Sequence, residues 1–444
     1  MVCAGGMAPA ELFADMSDAR HVSSPRGPQA AAPSCDARLA AYDALIVWQR
    51  GGTRTVVEAL PHLVGPDAAL ARDLAQGVLR HRRLYDHLAE RFLDRRHAQP
   101  EPLCLALAIG CHQLFACDRI PVHAAVERSV AILHQRGQSR LVGVANAVLR
   151  RLSELRLEER RGPGPGGRLL PADLPADPAI RVSLPDALVA DLDPLLGDRG
   201  VRLRRLAALE LPPPLCVRQR PGATVVDHPA ILRRDGAWSW WADPIAALDG
   251  PVATQAAVVQ DRTQGAALER LGSVSGLEVL DCCAAPGGKS LWLHDHGARV
   301  TACDAHPDKC RALRATMPEA ITVVCRDGRE AWPEASFDGV LVDAPCSNSG
   351  VMARRVEARW RYDAAHLASL ATLQSAVLRA AATAVRPGGW LCYSTCSICP
   401  QENGLRARSV PGWRVEHEWL TWPDAWQGGG YVAVLRRSGL RRGR

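Results

Sequence analysis

The chain has 444 residues, of which 47% are hydrophobic and 23% charged, and its formal net charge is +7. This balance is that of an ordinary globular protein and excludes bulk disorder, and the length predicts two or three domains. Fifteen cysteines in so long a chain exclude a small disulfide scaffold and favour a reducing cytoplasm.

The first segment, residues 1–35, is rich in Ala, Pro, Gly and Ser. It lacks the basic start and the continuous apolar stretch of a signal peptide, so we interpret it as a flexible leader. The chain has no apolar run of the length that predicts a membrane span.

Residues 36–157 carry apolar side chains at helical spacing, as in the run Leu84, Leu88, Phe92. Such stripes predict an all-helical domain whose helices bury one face each. Arg80, Arg82 and Arg83 are predicted to be exposed there. They would either contact phosphates or simply be solvated.

The charge itself is almost entirely arginine, because Lys289 and Lys309 are the only lysines. Arginine suits phosphate contacts and stacking on bases. A GC-rich genome would produce the same excess, so the charge permits RNA binding without requiring it.

Residues 158–180 are rich in Gly and Pro and are predicted to be a linker. Residues 181–250 then have a mixed pattern, with a strand expected at 215–218, and predict a small α+β (RRM-like) subdomain. Trp238, Trp240 and Trp241 alternate in part, which favours packing over base stacking.

Residues 251–436 alternate between strand and helix patterns, and residues 437–444 form a basic tail. Strands are expected at 277–283, 299–303, 321–325, 337–342 and 390–393, with a long helix at 363–385. The alternation predicts an α/β, Rossmann-like, doubly wound parallel sheet. Such sheets bind ligands at the carboxyl ends of their strands.

A glycine turn, Cys283-Ala284-Ala285-Pro286-Gly287-Gly288-Lys289, follows the first of these strands. Its glycines let the backbone approach a ligand, and the N-terminus of the next helix favours a carboxylate or phosphate. Asp304, 23 residues after Asp281, ends the second strand, where an acid can hold ribose hydroxyls. Asp327 ends the third strand, within reach of an adenine amine. Together these features favour a nucleoside cofactor over an ordinary strand–turn–helix joint.

Two cysteines follow the next strand ends, in Asp343-Ala344-Pro345-Cys346-Ser347 and Ser394-Thr395-Cys396-Ser397. A thiolate that adds to carbon 6 of a pyrimidine makes carbon 5 nucleophilic towards a methyl donor. The thiols therefore favour S-adenosylmethionine over NAD, whose full G-x-G-x-x-G pattern is also missing. A buried structural role is the alternative for either cysteine, and spacing alone leaves open which one attacks.

Cys396 and Cys399 also have C-x-x-C spacing, which occurs in zinc and redox sites. No second C-x-x-C pair completes a zinc site, so the sequence predicts no metal.

These blocks make the region from about residue 36 to residue 436 resemble the RNA cytosine-5 methyltransferase family of the Nop2/Sun type. Within it the chain is similar to the RsmB (Sun, Fmu) branch, whose members modify small-subunit ribosomal RNA and carry an N-terminal domain similar to the antitermination factor NusB. The corresponding N-terminal blocks here are 77–80, 109–114, 121–126 and 146–150.

The resemblance implies roles for the matching residues. Cys283 to Lys289 would cradle S-adenosylmethionine, Asp304 would hold its ribose, and Asp327 its adenine end. Asp343 would border the cofactor and the target base. Cys396 would be the nucleophile, and Cys346 would assist release of the methylated product.

The chain departs from the family pattern in three places. Asn348-Ser349 stand where the family has Gly-Thr, Val356-Glu357 replace a Pro-Asp, and the stretch from Asn403 to Tyr431 is short. We expect these departures to affect loops that face RNA more than the chemistry.

The sequence thus predicts a cytoplasmic, monomeric methyltransferase that acts on carbon 5 of a cytosine in 16S rRNA. Two alternatives remain: the same chemistry on transfer RNA, and a non-catalytic RNA-binding or ribosome assembly factor.

Overall fold

The computed structural model describes residues 36–94, 98–155, 157–161, 167–171, 174–210 and 212–437. The predicted leader, residues 1–35, lies outside the described residues, as does the predicted basic tail from residue 438 onward. Within the described ranges, no helix is both long and apolar enough to cross a bilayer.

The N-terminal domain is a helical bundle, as predicted from the apolar spacing. Its helices are α1 (Ala37–Gln49), α2 (Gly65–Glu90), α3 (Glu101–Ala116), α4 (Val122–Gln135) and α5 (Val142–Ser153). Asp36 caps α1 by accepting a hydrogen bond from the backbone N–H of Arg38 at 2.9 Å. The apolar stripes of the five helices form one continuous core.

The segment predicted as a linker contains regular structure. Strands β1 (Leu157–Arg161) and β2 (Gly167–Pro171) pair as an antiparallel hairpin, and a short helix, α6 (Pro178–Arg181), follows. Composition was misleading here, because a stretch rich in glycine and proline can still contain short paired strands. Pairing between two short strands depends on partners that composition does not reveal.

The middle subdomain has the predicted α+β character. It consists of α7 (Asp186–Leu196), α8 (Arg199–Ala207), β3 (Leu215–Gln219), β4 (Ile231–Asp235), β5 (Trp238–Trp241), α9 (Pro244–Ala247) and β6 (Ala257–Val259). The strands form an antiparallel sheet in the order β4-β5-β3-β6. The predicted boundary at residue 250 is therefore too early, because β6 pairs with β3.

The three tryptophans of β5 are packed, as predicted. Trp238, Trp240 and Trp241 are each at most 3% exposed. The indole N–H groups of Trp238 and Trp241 donate to Glu269 at 3.3 Å and Ser239 at 2.9 Å. Buried indoles with satisfied N–H groups are not available for stacking on a base.

The C-terminal domain is built on a seven-stranded sheet. Its strands are β7 (Glu278–Cys282), β8 (Arg299–Asp304), β9 (Thr322–Cys325), β10 (Phe337–Asp343), β11 (Val385–Thr395), β12 (Trp413–Thr421) and β13 (Gly430–Arg437). Its helices are α10 (Arg262–Glu269), α11 (Gly288–Asp295), α12 (Pro307–Thr316), α13 (Ala358–Arg361), α14 (Ala364–Ala384) and α15 (Gly404–Ala407). Helix α14 covers one face of the sheet, and α10 and α11 cover the other.

The strand order is β12-β13-β11-β10-β7-β8-β9. The five strands from β11 to β9 are parallel, as predicted, but β13 runs antiparallel to β11, and β12 antiparallel to β13. The sheet is therefore mixed rather than wholly parallel. Both antiparallel strands come from the region after residue 403, where no strand was predicted. Antiparallel neighbours can be joined without a crossover helix, so the strand–helix alternation that predicted the parallel strands is absent there.

The helical domain packs directly against residues 352–361 of the C-terminal domain. Val356 is fully buried in the helical core, and the Glu357 carboxylate accepts a hydrogen bond from the backbone N–H of Val56 at 3.0 Å. The expectation that Val356 and Glu357 face RNA is therefore wrong. Their side chains form the contact between the two domains.

Arg80, Arg82 and Arg83 are partly buried rather than exposed. Arg80 donates to the carbonyl of Ala353 at 2.9 Å. Arg82 pairs with Asp86, and Arg83 with Asp186, each at 2.8 Å. The apolar spacing correctly predicted that this segment is helical. It could not show which surface of α2 the other domains cover.

Arg359 links three parts of the chain. It is 1% exposed, and its guanidinium donates to the carbonyl oxygens of Arg80 at 2.8 Å, Val182 at 3.1 Å and Leu209 at 2.6 Å. A buried guanidinium whose donors reach several carbonyls stabilises the segments that supply them.

We expect Arg359→Ala to lower the free energy of unfolding by about 2–5 kcal/mol, because it leaves buried carbonyls without donors. Arg414→Ala changes an exposed residue of β12 and should stay within about 0.5 kcal/mol of the wild type. Urea denaturation followed by circular dichroism measures both. Equal midpoints for the two variants would contradict the role given to Arg359.

Candidate active site

The sequence-predicted site residues lie at one edge of the sheet, where β7, β8, β10 and β11 end. Register places Asp343 opposite Ser394 and Cys282 opposite Cys303. Because neighbouring parallel strands end together, the loops that follow them meet. The glycine turn, the acids and both thiols are thus within one region.

The glycine turn follows β7 and leads into α11. Cys283 and Gly287 both have positive φ, 62° and 101°, and the Ala285–Pro286 peptide bond is cis. A Cβ on Gly287 would lie 2.7 Å from the Met317 methyl carbon and 2.9 Å from a Leu313 methyl. Glycine is required at position 287 by both its φ and its packing.

Asp304, at the end of β8, is joined to this turn. Its carboxylate accepts hydrogen bonds from the backbone N–H of His306 at 3.1 Å and of Ala285 at 3.4 Å. Lys309 lies 3.9 Å away. The acid is only 5% exposed, so its position is determined by the turn itself.

Asp327 lies two residues beyond β9 and pairs with its neighbour Arg329. The guanidinium lies 2.6 Å from the carboxylate, and this hydrogen bond is the main reason that the pKa of Asp327 is lowered. Asp327 is on the same edge as the turn, but its carboxylate already has a cationic partner.

Asp281, inside β7, lies beneath the turn and is completely buried. Ser290 donates to its Oδ2 at 2.6 Å, while its Oδ1 is buried without a hydrogen-bond partner. Burial raises the pKa of Asp281 to about 7.

Lys289 connects the turn to Asp343. Its ammonium group lies 2.7 Å from the Asp343 carboxylate and also donates to the side-chain oxygen of Gln264. Lys289 is 6% exposed, whereas the Asp343 side chain is 28% exposed. The Asp343 carboxylate is therefore paired with the buried Lys289 on its inner side, and its outer side is accessible to solvent.

The two thiols are in direct contact. The Sγ atoms of Cys346 and Cys396 are 3.2 Å apart, although 50 residues separate them in the chain. Cys346 is buried and Cys396 is partly exposed. Cys396 also lies 3.1 Å from the side-chain oxygen of Asn348, one of the departures from the family pattern.

The contact shifts the pKa values of the two thiols in opposite directions. The hydrogen bond from Cys346 is the main reason that the pKa of Cys396 is lowered, and the positive charge of Arg355 adds to the effect. The same bond, together with burial, raises the pKa of Cys346. Cys396 is therefore the more readily ionised of the two thiols, and Cys346 the less readily ionised.

We expect alkylation of Cys396 by iodoacetamide to reach its half-maximal rate at a lower pH than an ordinary thiol. Cys346→Ala should move that midpoint to higher pH, because it removes the hydrogen bond that favours the thiolate. Peptide-resolved mass spectrometry over a pH series measures both. A midpoint unchanged in Cys346→Ala would show that Cys346 does not set the pKa.

Glu402 holds the two cysteine loops together. Its carboxylate is completely buried and accepts hydrogen bonds from the backbone N–H of Ser347 at 2.8 Å, the Ser397 hydroxyl at 2.6 Å and the Gln374 amide at 3.0 Å. The Ser347 hydroxyl donates to it as well. One carboxylate thus binds the residue that follows each thiol.

We expect Glu402→Ala to lower the free energy of unfolding by about 2–4 kcal/mol, because several buried donors lose their acceptor. Glu402→Gln should cost less, since the serine hydroxyls can turn to accept from its amide. In both variants the thiol contact, and with it the pKa shift of Cys396, should weaken more than cofactor binding. If neither variant altered Cys396 alkylation or stability, Glu402 would not position the thiols.

Sequence reasoning missed Glu402, Gln374 and the Lys289–Asp343 pair. An acid six residues after Cys396 was a signal, but nothing in the sequence showed that it is buried. The thiol of Cys399 contacts Tyr362 at 3.1 Å and Ser349 at 3.2 Å, partners that differ from those of Cys396.

Comparison with known proteins gives two family matches. The model for the 16S rRNA methyltransferase RsmB/F matches residues 270–414, and the NusB family model matches residues 36–154. The two matches correspond to the site-bearing domain and the helical domain.

Curated relatives span most of the chain. Ribosomal RNA small subunit methyltransferase B of Xanthomonas campestris is 30% identical over 84% of this chain and 87% of its own length. The protein of the same name from Pseudomonas putida is 30% identical over 76% of this chain and 79% of its own. A putative methyltransferase of Mycobacterium tuberculosis is 33% identical over 84% and 85%.

Among solved structures, the crystal structure of PH0851 aligns with a TM-score of 0.68, covering 92% of this chain and all of that one, at 18% identity. A likeness at this identity supports the fold alone.

Proposed function

The chain belongs to the RsmB/F family of rRNA methyltransferases, and from this premise we propose that it methylates carbon 5 of a cytosine in 16S rRNA through a bond to Cys396. The observation that carries the proposal is the 3.2 Å contact between the two thiols, which lowers the pKa of Cys396. A partly exposed thiol with a lowered pKa at the ligand-binding edge of the sheet is suited to attack a base.

The residues of the turn fit S-adenosylmethionine. The buried Asp281 Oδ1 leaves an acceptor unpaired beneath the turn, and Asp304 is held at the end of β8, where a ribose would lie. Cys283 to Lys289 would hold S-adenosylmethionine. Asp327 would bind the adenine end of the cofactor once Arg329 releases the Asp327 carboxylate. When bound, the donor supplies an electrophilic methyl group.

The protein's own part in the reaction would be as follows. The Cys396 thiolate bonds to carbon 6 of the cytosine, and the electron pair displaced from the ring makes carbon 5 nucleophilic. Asp343, accessible on its outer side, would hydrogen-bond the ring and hold it in place. After carbon 5 has been methylated, its proton would pass to water at the open edge of the site. The electrons of that C–H bond would re-form the ring double bond as the bond from carbon 6 to sulfur breaks and Cys396 leaves as a thiolate. Cys346 would assist this release by donating a hydrogen bond to the departing sulfur.

The substrate must present an unstacked base, since carbon 6 is inaccessible within a stacked helix. The NusB-like domain and the middle subdomain would position small-subunit rRNA, and the reaction would take place in the cytoplasm. Transfer RNA remains the rival substrate for the same chemistry.

The test is incubation of the protein with radiolabelled S-adenosylmethionine and 16S rRNA from a strain that lacks the gene, with transfer RNA in parallel. We expect label in 5-methylcytosine from the 16S rRNA only. Label in transfer RNA would favour the rival substrate. Absence of label from both RNAs, with cofactor binding shown by equilibrium dialysis, would favour a non-catalytic role.

A further inference from the structure

A second group of chemically suited side chains lies in the helical domain, remote in sequence from the methyltransferase residues. Asp73 of α2, His112 of α3 and Cys117, directly after α3, each offer one ligand atom, and these atoms lie within 4.8 Å of one another. Among the described residues no other group of three such side chains is this close. We propose that Asp73, His112 and Cys117 bind a divalent transition-metal ion of the zinc type.

The distances between the ligand atoms fit such an ion. Asp73 Oδ2 lies 3.3 Å from His112 Nε2 and 3.7 Å from Cys117 Sγ. Tetrahedral zinc with bonds of about 2.0 Å to N and O and about 2.3 Å to S separates its ligands by about 3.3–3.6 Å. The two separations from Asp73 therefore match one ion, and the third, between the ligand atoms of His112 and Cys117, is at most 4.8 Å.

The surroundings of His112 resemble those of a metal-binding histidine. Its ring is buried and lies over Gly77, where a Cβ would come within 2.0 Å of the ring. The Tyr85 hydroxyl is 3.0 Å from Nδ1, on the side of the ring opposite the atom that faces Asp73. A hydrogen-bonding group on the second ring nitrogen is usual for histidines that bind metals, because it orients the ring.

The chemistry of the donors selects the class of ion. One oxygen, one imidazole nitrogen and one sulfur suit zinc and its neighbours in the first transition series, whereas Mg²⁺ and Ca²⁺ prefer oxygen ligands. Three protein ligands leave a fourth position for water. The Asp73 side chain is 58% exposed, so an ion can reach the site from solvent.

The nearby charges act in both directions. Asp118 beside Cys117 would favour a cation, whereas Arg80 near Asp73 and Arg38 near Cys117 would oppose one, and the protein supplies only three ligands. We therefore expect binding weaker than that of four-ligand structural zinc sites. The ion would connect α2 to the turn between α3 and α4, so its effect would be on the stability of the helical domain.

The prediction of no metal was based on C-x-x-C pairs, which this site does not use. Its ligands come from α2, from α3 and from the residue that follows α3, and Asp73 is 39 residues from His112 and 44 from Cys117. The spacing of residues within one segment of the sequence could not reveal this metal site.

The test uses the full chain, stripped of metal with a chelator and titrated with Co²⁺ and then with Zn²⁺. Tetrahedral Co²⁺ bound to a thiolate gives visible d–d bands and a sulfur-to-metal charge-transfer band. We expect one such ion per chain, displaced by Zn²⁺, and a zinc-dependent rise in the melting temperature. Cys117→Ser should abolish the charge-transfer band, and both Cys117→Ser and Asp73→Asn should raise the Zn²⁺ Kd by at least about tenfold.

Cys104→Ser is the matched control, because Cys104 is another partly buried thiol of the same domain that lies outside the cluster. It should keep the wild-type spectrum and Kd. Both tested ligands are at least partly exposed, so their substitution should leave the fold intact, as circular dichroism will show. Identical Zn²⁺ binding by wild type and Cys117→Ser, or no binding by the wild type, would overturn the proposal in favour of a simple hydrogen-bonded cluster.

Discussion

Cys396→Ser is expected to abolish methyl transfer while leaving the fold and cofactor binding unchanged. Removing the nucleophile of an enzyme that works by covalent catalysis costs up to about 10⁶-fold in turnover, and a serine hydroxyl at neutral pH does not replace a thiolate. We therefore expect a loss of at least about 10³-fold in labelled 5-methylcytosine. The contact of residue 396 with Asn348 and Cys346 can be kept by the hydroxyl, so stability should change little.

Cys399→Ser is the matched control for this variant. It makes the same chemical change three residues away, at a buried thiol that contacts Tyr362 and Ser349 rather than Cys346. It should retain activity of the same order as the wild type. If Cys396→Ser were as active as Cys399→Ser, Cys396 would not be the nucleophile.

Cys346→Ala should trap the protein on its RNA. Cys346 touches the sulfur of Cys396 and assists release in the proposed mechanism, so its loss should slow the release step more than the attack. A covalent adduct should then accumulate and appear as a retarded band on a denaturing gel. The band should require both S-adenosylmethionine and unmethylated 16S rRNA.

The double variant Cys346→Ala with Cys396→Ser separates the roles of the two thiols. With Cys396 as the nucleophile, it gives no band. A band that survived loss of Cys396 and instead required Cys346 would reverse the two assignments. Glu402 is predicted to support both thiols, so Glu402→Gln should reduce the rate of adduct formation without changing which cysteine is attached.

The sequence predicted the parts of the fold that local patterns encode. Helix α14 was predicted at 363–385 and is observed at Ala364–Ala384, because its apolar spacing and the Pro-Gly-Gly that follows act locally. The β7–β10 strands were equally visible, since buried parallel strands are short apolar runs. Strand β12 was missed because it is an edge strand with many exposed residues. Strand β13 lies inside the sheet and is mostly buried, so its apolar run was a signal that the prediction overlooked.

The candidate site, too, could be predicted from the sequence only in part. Cys346, Cys396 and the glycine turn were found because strand ends meet at one edge of a parallel sheet. The 3.2 Å contact between the thiols, the burial of Glu402 and the partial burial of Arg80 depend on tertiary packing. So does the Asp73–His112–Cys117 cluster, whose members share no segment.

The most direct test of the central claim is to map 5-methylcytosine in 16S rRNA by bisulfite sequencing in a strain that lacks the gene. The account predicts one cytosine that becomes unmethylated, and whose methylation returns with the wild-type gene but not with Cys396→Ser. A 16S rRNA pattern identical in the presence and absence of the gene, or restored equally by Cys396→Ser, would contradict it.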